Sequence, residues 1–326
     1  MKKTRCCIPL LRCMVFLLGL AALLIPAGWI LSPKGRDYGC GLENPRIWSF
    51  QAEQPNSLDV LSIGDSLLMC GYSPLDIWLQ EGFTGFNSCT GNQRLTQSLR
   101  MLEAFCATQS PKVVLLEADS LYQPIEVRDV FRDRVCPLLP VLEYHNNWKI
   151  FSPEKFLREP DYSFRHDQKG THILYDRDPE MPDNVETYME DVGEEAPISG
   201  INRYYFEKIA AHCRRNGIRL VMVSVPSPSL WSDARHRSVQ VLCRDWGIDY
   251  LDMNRNREEV PIDWMQDKSN EGDHLNYWGM RKVSGYLGKY LASTNLLTDR
   301  REEPLAREWD EASRKYQEKK EASLAG

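Results

Sequence analysis

The first pattern along the chain is one unbroken apolar run. From Cys13 to Leu31 it reads CMVFLLGLAALLIPAGWIL, nineteen residues without a charge, close to the roughly twenty that a helix needs to cross the hydrocarbon core of a bilayer. After it the apolar runs shorten. Leu58 to Ile63, Val113 to Glu117, Leu220 to Val225 and Ile248 to Leu251 are bounded by turn signals such as Gly64-Asp65-Ser66, Pro226 and Asp252, and predict four buried strands. Between them the apolar positions recur at helical spacing over Gln93 to Phe105, Tyr204 to Arg215 and Asp233 to Asp245, with Asn216-Gly217 and Gly247 as stop signals. Strands alternating with helices at this spacing predict a parallel α/β sheet covered on both faces, with function at the carboxyl ends of its strands.

Two stretches break that rhythm. From about 123 to 200 the chain is rich in acids and prolines and holds the cluster Tyr144-His145-Asn146-Asn147-Trp148, which predicts an insertion or lid. Trp148 reads there as a core residue, with stacking on a glycan acceptor as the alternative. After Leu297 mixed charges predict a helical tail with a solvated face. The expected plan is a cytosolic arm and anchor at 1–36, an α/β domain at 37–296 carrying the insertion at about 123–200, and a charged tail at 297–326.

Charge gives the apolar run a direction. All six basic residues before Asp37 (Lys2, Lys3, Arg5, Arg12, Lys34, Arg36) come without an acid, although the whole chain carries a net charge of −6. The positive-inside bias then leaves the arm in the cytosol and everything after Leu31 outside, a single-pass cell-membrane protein with an extracytoplasmic domain. A cleaved signal peptide is the rival, but the site near Ala27 lacks an A-x-A pattern, and Pro26 with Trp29 suits an interfacial anchor. The acidic remainder is a poor match for nucleic acid. Ten cysteines include no C-x-x-C pair, so zinc has no support. The seven beyond the run are odd in number, so at least one thiol is expected to be free. His166, His172, His212 and His236 lack metal-ligand spacing, and no Walker loop or GxGxxG fingerprint occurs. No cofactor is expected.

Two separated blocks carry candidate chemistry. Ser66 lies where the first strand turns into a helix, a position that exposes a hydroxyl beside backbone N–H groups able to face an oxyanion. The competing reading is that Asp65 or Ser66 only caps the helix. Far downstream, Glu271-Gly272-Asp273-His274-Leu275-Asn276 precedes a terminal helix expected over Met280 to Leu291. An imidazole beside acids can take the proton that a serine must lose to act as a nucleophile.

Taken together, the GDSLL block at 64–68 and the later acid-His-Leu-Asn-x-x-Gly block resemble the SGNH/GDSL hydrolases over roughly residues 57 to 295. The resemblance implies a three-layer α/β/α flavodoxin-like fold and a serine esterase or O-acyltransferase that uses no metal, with Ser66 as nucleophile and His274 as base. The acid is open between Asp273, adjacent to the histidine, and Glu271, three residues before it. The family's G-x-N-D block is missing, and the loop Cys89 to Arg94 is the substitute. Gly91, Asn92 and Gln93 there would join the Ser66 N–H in binding the oxyanion, with an ordinary turn as the alternative. Similarity to the membrane-anchored alginate O-acetyltransferases and the D-alanyl transfer protein of teichoic acid synthesis implies an acyl ester, such as acetyl groups of a cell-surface glycan, as substrate. It also implies a membrane O-acyltransferase as partner. The alternatives are a non-catalytic SGNH-fold scaffold or glycan-binding subunit, and a tethered adhesion domain in which the two blocks are coincidence.

Overall fold

The computed structural model describes residues 7–269 and 274–325. The chain divides into two compact units, Met1–Pro45 with Glu126–Phe164, and Arg46–Ile125 with Arg165–Gly326.

The larger unit is built on five parallel strands, β1 (Val60–Ile63), β2 (Gly85–Asn87), β3 (Val113–Glu117), β4 (Arg219–Ser224) and β5 (Asp249–Asp252), in the order β2-β1-β3-β4-β5. This is the flavodoxin-like order, with its switch point between β1 and β3. Four strands lie where the apolar runs placed them. The fifth, β2, is Gly-Phe-Asn, too short and too mixed to register as an apolar run.

Alternation along the strands divides the core between the two faces. Val60, Val113, Leu115, Val221 and Val223 pack in one cluster with Leu67, Leu68, Ile77, Val283 and Leu287. These come from α2 (Ser66–Gly71), α3 (Pro74–Glu81) and α7 (Tyr277–Ser293). The intervening Leu61, Ile63, Val114, Leu116 and Met222 are equally buried, and α4 (Leu95–Cys106), α5 (Gly200–Arg215) and α6 (Asp233–Trp246) cover their side of the sheet. Both predicted stops hold for the same reason. Gly217 and Gly247 have φ of +68° and +63°, and Ile218 and Ile248 donate to the carbonyls of Cys213 and Cys243 at 2.9 Å each, closing α5 and α6 with left-handed caps.

The C-terminal helix α8 (Ala306–Ala325) differs from a solvated tail. Trp309 and Tyr316, seven residues apart on one helical face, are buried. Trp309 lies against Trp78 with ring centroids 5.4 Å apart, and the Tyr316 hydroxyl donates to Asp76 at 2.9 Å. Beside them the buried Lys169 ammonium donates to both carboxylate oxygens of Glu53 at 2.8 and 2.9 Å and to Glu308 at 3.1 Å.

The smaller unit contains α1 (Cys7–Leu31), whose portion Pro9–Leu31 is long and apolar enough to cross a membrane. The first part of the expected insertion belongs to this unit, while the rest, from Arg165, belongs to the sheet unit. Helix Pro140–Tyr144 packs on α1 at Gly28, where an added Cβ would lie 3.0 Å from the Val141 nitrogen. The Asn147 amide donates to the Leu31 carbonyl at 2.9 Å. Trp148, expected in the core, is 66% exposed. It lies in a short 3-10 helix, His145–Ile150, with too little structure around it to enclose an indole.

Candidate active site

The serine arm is assembled from three chain segments at the carboxyl edge of β1 and β3. Gly64 follows β1 with φ +136°, and a side chain there would collide with the Cβ of Glu117 and come within 3.0 Å of its amide nitrogen. Only glycine fits this bend. The Gly64 N–H donates to Gln93 Oε1 at 2.8 Å, and its carbonyl accepts from the Thr90 N–H at 3.1 Å. These bonds fasten the loop after β2 to the turn. Asp65 is the N-cap of α2, accepting from the Leu67 N–H at 3.1 Å. The capping role therefore falls to Asp65, and the Ser66 hydroxyl is turned elsewhere.

That hydroxyl meets His274, whose Nε2 lies 2.8 Å from Ser66 Oγ across 208 residues of sequence. Both side chains are half-buried. The histidine arm hangs from Asn276. The buried Asn276 side-chain amide donates to the carbonyls of Gln266 at 2.8 Å, Lys268 at 3.0 Å and Asp176 at 3.1 Å, while its Oδ1 caps α7 by accepting from the N–H groups of Trp278 and Gly279. Lys268 and Leu275 form an isolated antiparallel bridge, and the Ser269 N–H donates to the His274 carbonyl at 2.9 Å. Asp273 and Glu271, the two acid candidates, lie outside the described residues. For Nε2 to accept from the serine, the imidazole must carry its proton on Nδ1, the nitrogen that a carboxylate would orient.

The three loop residues expected at the oxyanion are placed differently from one another. Gly91 and Asn92 form the exposed tip of a turn closed by the Gln93 N–H on the Thr90 carbonyl, with Asn92 at φ +54°, a conformation asparagine tolerates. The side chain of Gln93 is fully buried. Its Oε1 accepts from the Gly64 N–H and from Ser98 Oγ, and its Nε2 donates to the Ser88 carbonyl at 2.8 Å. In this arrangement Gln93 holds the turn.

Several residues shape the site through contacts that the sequence does not display. Asp65, Glu117 and Asp119 form a buried acidic group beside the Ser66 turn. Gln123 donates to Asp65 at 3.1 Å and Asp119 at 2.8 Å, Arg235 pairs with Asp119, and Glu117 accepts from the Asp119 N–H at 2.9 Å. Burial, then the neighbouring Asp119 carboxylate, pushes Asp65 well above the ordinary aspartate range. Burial, then the charges of Asp65 and Asp119, does the same to Glu117, whose Oε1 has no hydrogen-bond partner among the described residues. Carboxyl groups held toward their neutral form put less negative charge against an anion developing at Ser66. The signal for this group was the Glu117-Ala118-Asp119 run after β3, but the pairing with Asp65 exists only in three dimensions. Among the described residues, no group of three or more His, Cys, Asp or Glu is arranged to hold a metal ion.

No protein-family model and no curated protein matches the chain. Solved structures do overlap with it. A lipase/acylhydrolase from Enterococcus faecalis covers 74% of this chain and 98% of its own at 10% identity and TM-score 0.39. A GDSL-like lipase from Bacteroides thetaiotaomicron covers 76% and 98% at 11% identity and TM-score 0.38. At such scores the overlap is shallow, and the functional reading rests on the juxtaposition of Ser66 and His274.

Proposed function

We propose that the protein is a serine hydrolase or O-acyltransferase of the SGNH/GDSL type, anchored by α1 with its sheet unit outside the cytoplasm. The observation that carries the reading is the 2.8 Å contact between Ser66 Oγ and His274 Nε2 at the carboxyl edge of the sheet, within the 2.6–3.2 Å range of a nucleophile and its base. Ser66 Oγ attacks the acyl carbonyl as its proton passes to His274. The tetrahedral oxyanion is met by the Ser66 N–H, the Gly91 N–H and the donors of Asn92, with Gln93 holding the loop. The intermediate collapses as His274 returns the proton to the departing alkoxide, leaving an acyl-serine. Water, or a sugar hydroxyl, then gives its proton to His274 and takes the acyl group, restoring Ser66. Asp273 or Glu271 is the orienting acid in this scheme, and acetyl esters of a cell-envelope glycan are the proposed substrate class.

Two readouts test the proposal. Wild-type protein should label with a fluorophosphonate and release nitrophenol from p-nitrophenyl acetate, while Ser66→Ala loses the label and at least about a thousandfold of the turnover. Labelling of neither protein, with both folded, would favour the non-catalytic scaffold, a reading that the engaged amide of Gln93 supports. Of the two acid variants, Asp273→Asn and Glu271→Gln, one should lower turnover sharply without loss of fold, and near-normal turnover in both would remove a carboxylate from the mechanism.

A further inference from the structure

The smaller unit exposes a run of large apolar side chains between Val127 and Trp148. Val127, Phe131, Val135, Leu138 and Leu142 recur at intervals of four, four, three and four through consecutive short helical turns, and with Trp148 they are among its exposed large apolar residues, Val127 at 86% and Leu138 at 76%. The turns are of α, π and 3-10 type with a non-helical break at Leu139, so these positions form an apolar stripe along the sequence and not one face of a single helix. Several large apolar side chains exposed within one short segment mark an interaction site.

The position of α1 identifies what covers it. The uncharged stretch Cys13 to Leu31 rises about 28 Å as a helix, close to the thickness of a bilayer's hydrocarbon core. Gly28, three residues before its end, therefore lies about 5 Å inside the outer boundary. Helix Pro140–Tyr144 packs on α1 at Gly28, with the Val141 nitrogen 3.0 Å from the added Cβ position, so this part of the insertion is carried to the level where acyl chains meet headgroups. Trp29 is exposed there, and Lys34 lies over its ring at 3.9 Å while donating to its carbonyl at 2.7 Å. An indole beside a lysine is the usual furnishing of a membrane surface. Residues 126–164 hold six basic and seven acidic side chains, so apolar burial, and not attraction to anionic headgroups, would hold the segment down.

We infer that residues 127–148 form a collar seated in the outer interface of the bilayer around the exit of α1, with the lipid acyl chains covering its apolar stripe. The inference rests on the reading that α1 spans the membrane. It is tested in the full-length protein, reconstituted alone into phosphatidylethanolamine vesicles with and without phosphatidylglycerol. A benzophenone amino acid is installed singly at Leu17, Leu138, Trp148 and Glu311, the last an exposed position on α8. Irradiation should give lipid adducts at Leu17, Leu138 and Trp148, with the same yield in both lipid mixtures, and none at Glu311. Adducts at Leu17 alone would overturn the collar and keep the anchor. A protein dimer at Leu138 in place of lipid would give the stripe to a second copy, and adducts at Glu311 equal to those at Leu138 would show contact without selectivity; either overturns the inference. No adduct at Leu17 would remove the anchor and the collar with it.

Discussion

The two halves of the candidate site are held by different means. On the serine side, position is set by backbone and packing: Gly64 has no room for a Cβ beside Glu117, and its own N–H and carbonyl are both bonded to the loop after β2. On the histidine side, one amide gathers three carbonyls and caps the following helix. Ser66 is thus fixed by the bend at the end of β1, whereas the segment carrying His274 depends on the Asn276 amide together with the Lys268–Leu275 bridge and the Ser269 N–H on the His274 carbonyl. Damage to the first should lower stability and activity together. Damage to the second should lower activity further than stability.

The largest expected effect is at Gly64→Ala. A Cβ forced into Glu117 at a positive φ should cost about 3 kcal/mol or more, read as a lower urea midpoint with fluorophosphonate labelling falling in step. A stable, inactive Gly64→Ala would break the comparison. Asn276→Ala comes next. Loss of the cap and of the amide that serves three carbonyls, that of Lys268 buried and those of Gln266 and Asp176 partly so, should cost about 2 kcal/mol, while turnover of the still-folded fraction drops as His274 leaves Ser66. Normal turnover per folded molecule would show that other contacts hold the base.

The smallest effect sharpens the serine side. Glu117 has its pKa raised by burial, so its contribution to stability is full below the ordinary carboxylate range and is lost as pH rises through the raised value. Glu117→Gln removes that titration. Its urea midpoint should fall less than that of wild type as pH is raised above the ordinary carboxylate range, and parallel pH profiles for the two proteins would place the buried charge elsewhere.

Much of this arrangement was legible in the sequence because it is local. The bend at Gly64-Asp65-Ser66 follows a strand, two helix stops are glycines, and His274 sits in a loop before a helix. What was hidden depends on distance. Asp65 meets Asp119 and Gln123 only after β1 and β3 pair, and the amide of Gln93 reads equally as an oxyanion donor until Gly64 and Ser88 are seen to occupy it. Strand β2 was too short to display a period. In α8 the surrounding charges masked Trp309 and Tyr316, whose seven-residue spacing was the available clue to a buried face. Trp148 departs in the opposite direction: tryptophan ordinarily marks a core, but in its short 3-10 turn the indole is 66% exposed.

The anchoring of α8 has a genetic consequence. A nonsense allele ending the chain at Leu305 would spare every residue proposed for chemistry, yet it would bare the indole of Trp78 and strip Glu308 from the ammonium of Lys169. Such an allele should behave like a lesion in the hydrophobic interior, sending the product to proteolysis before its catalytic competence could matter.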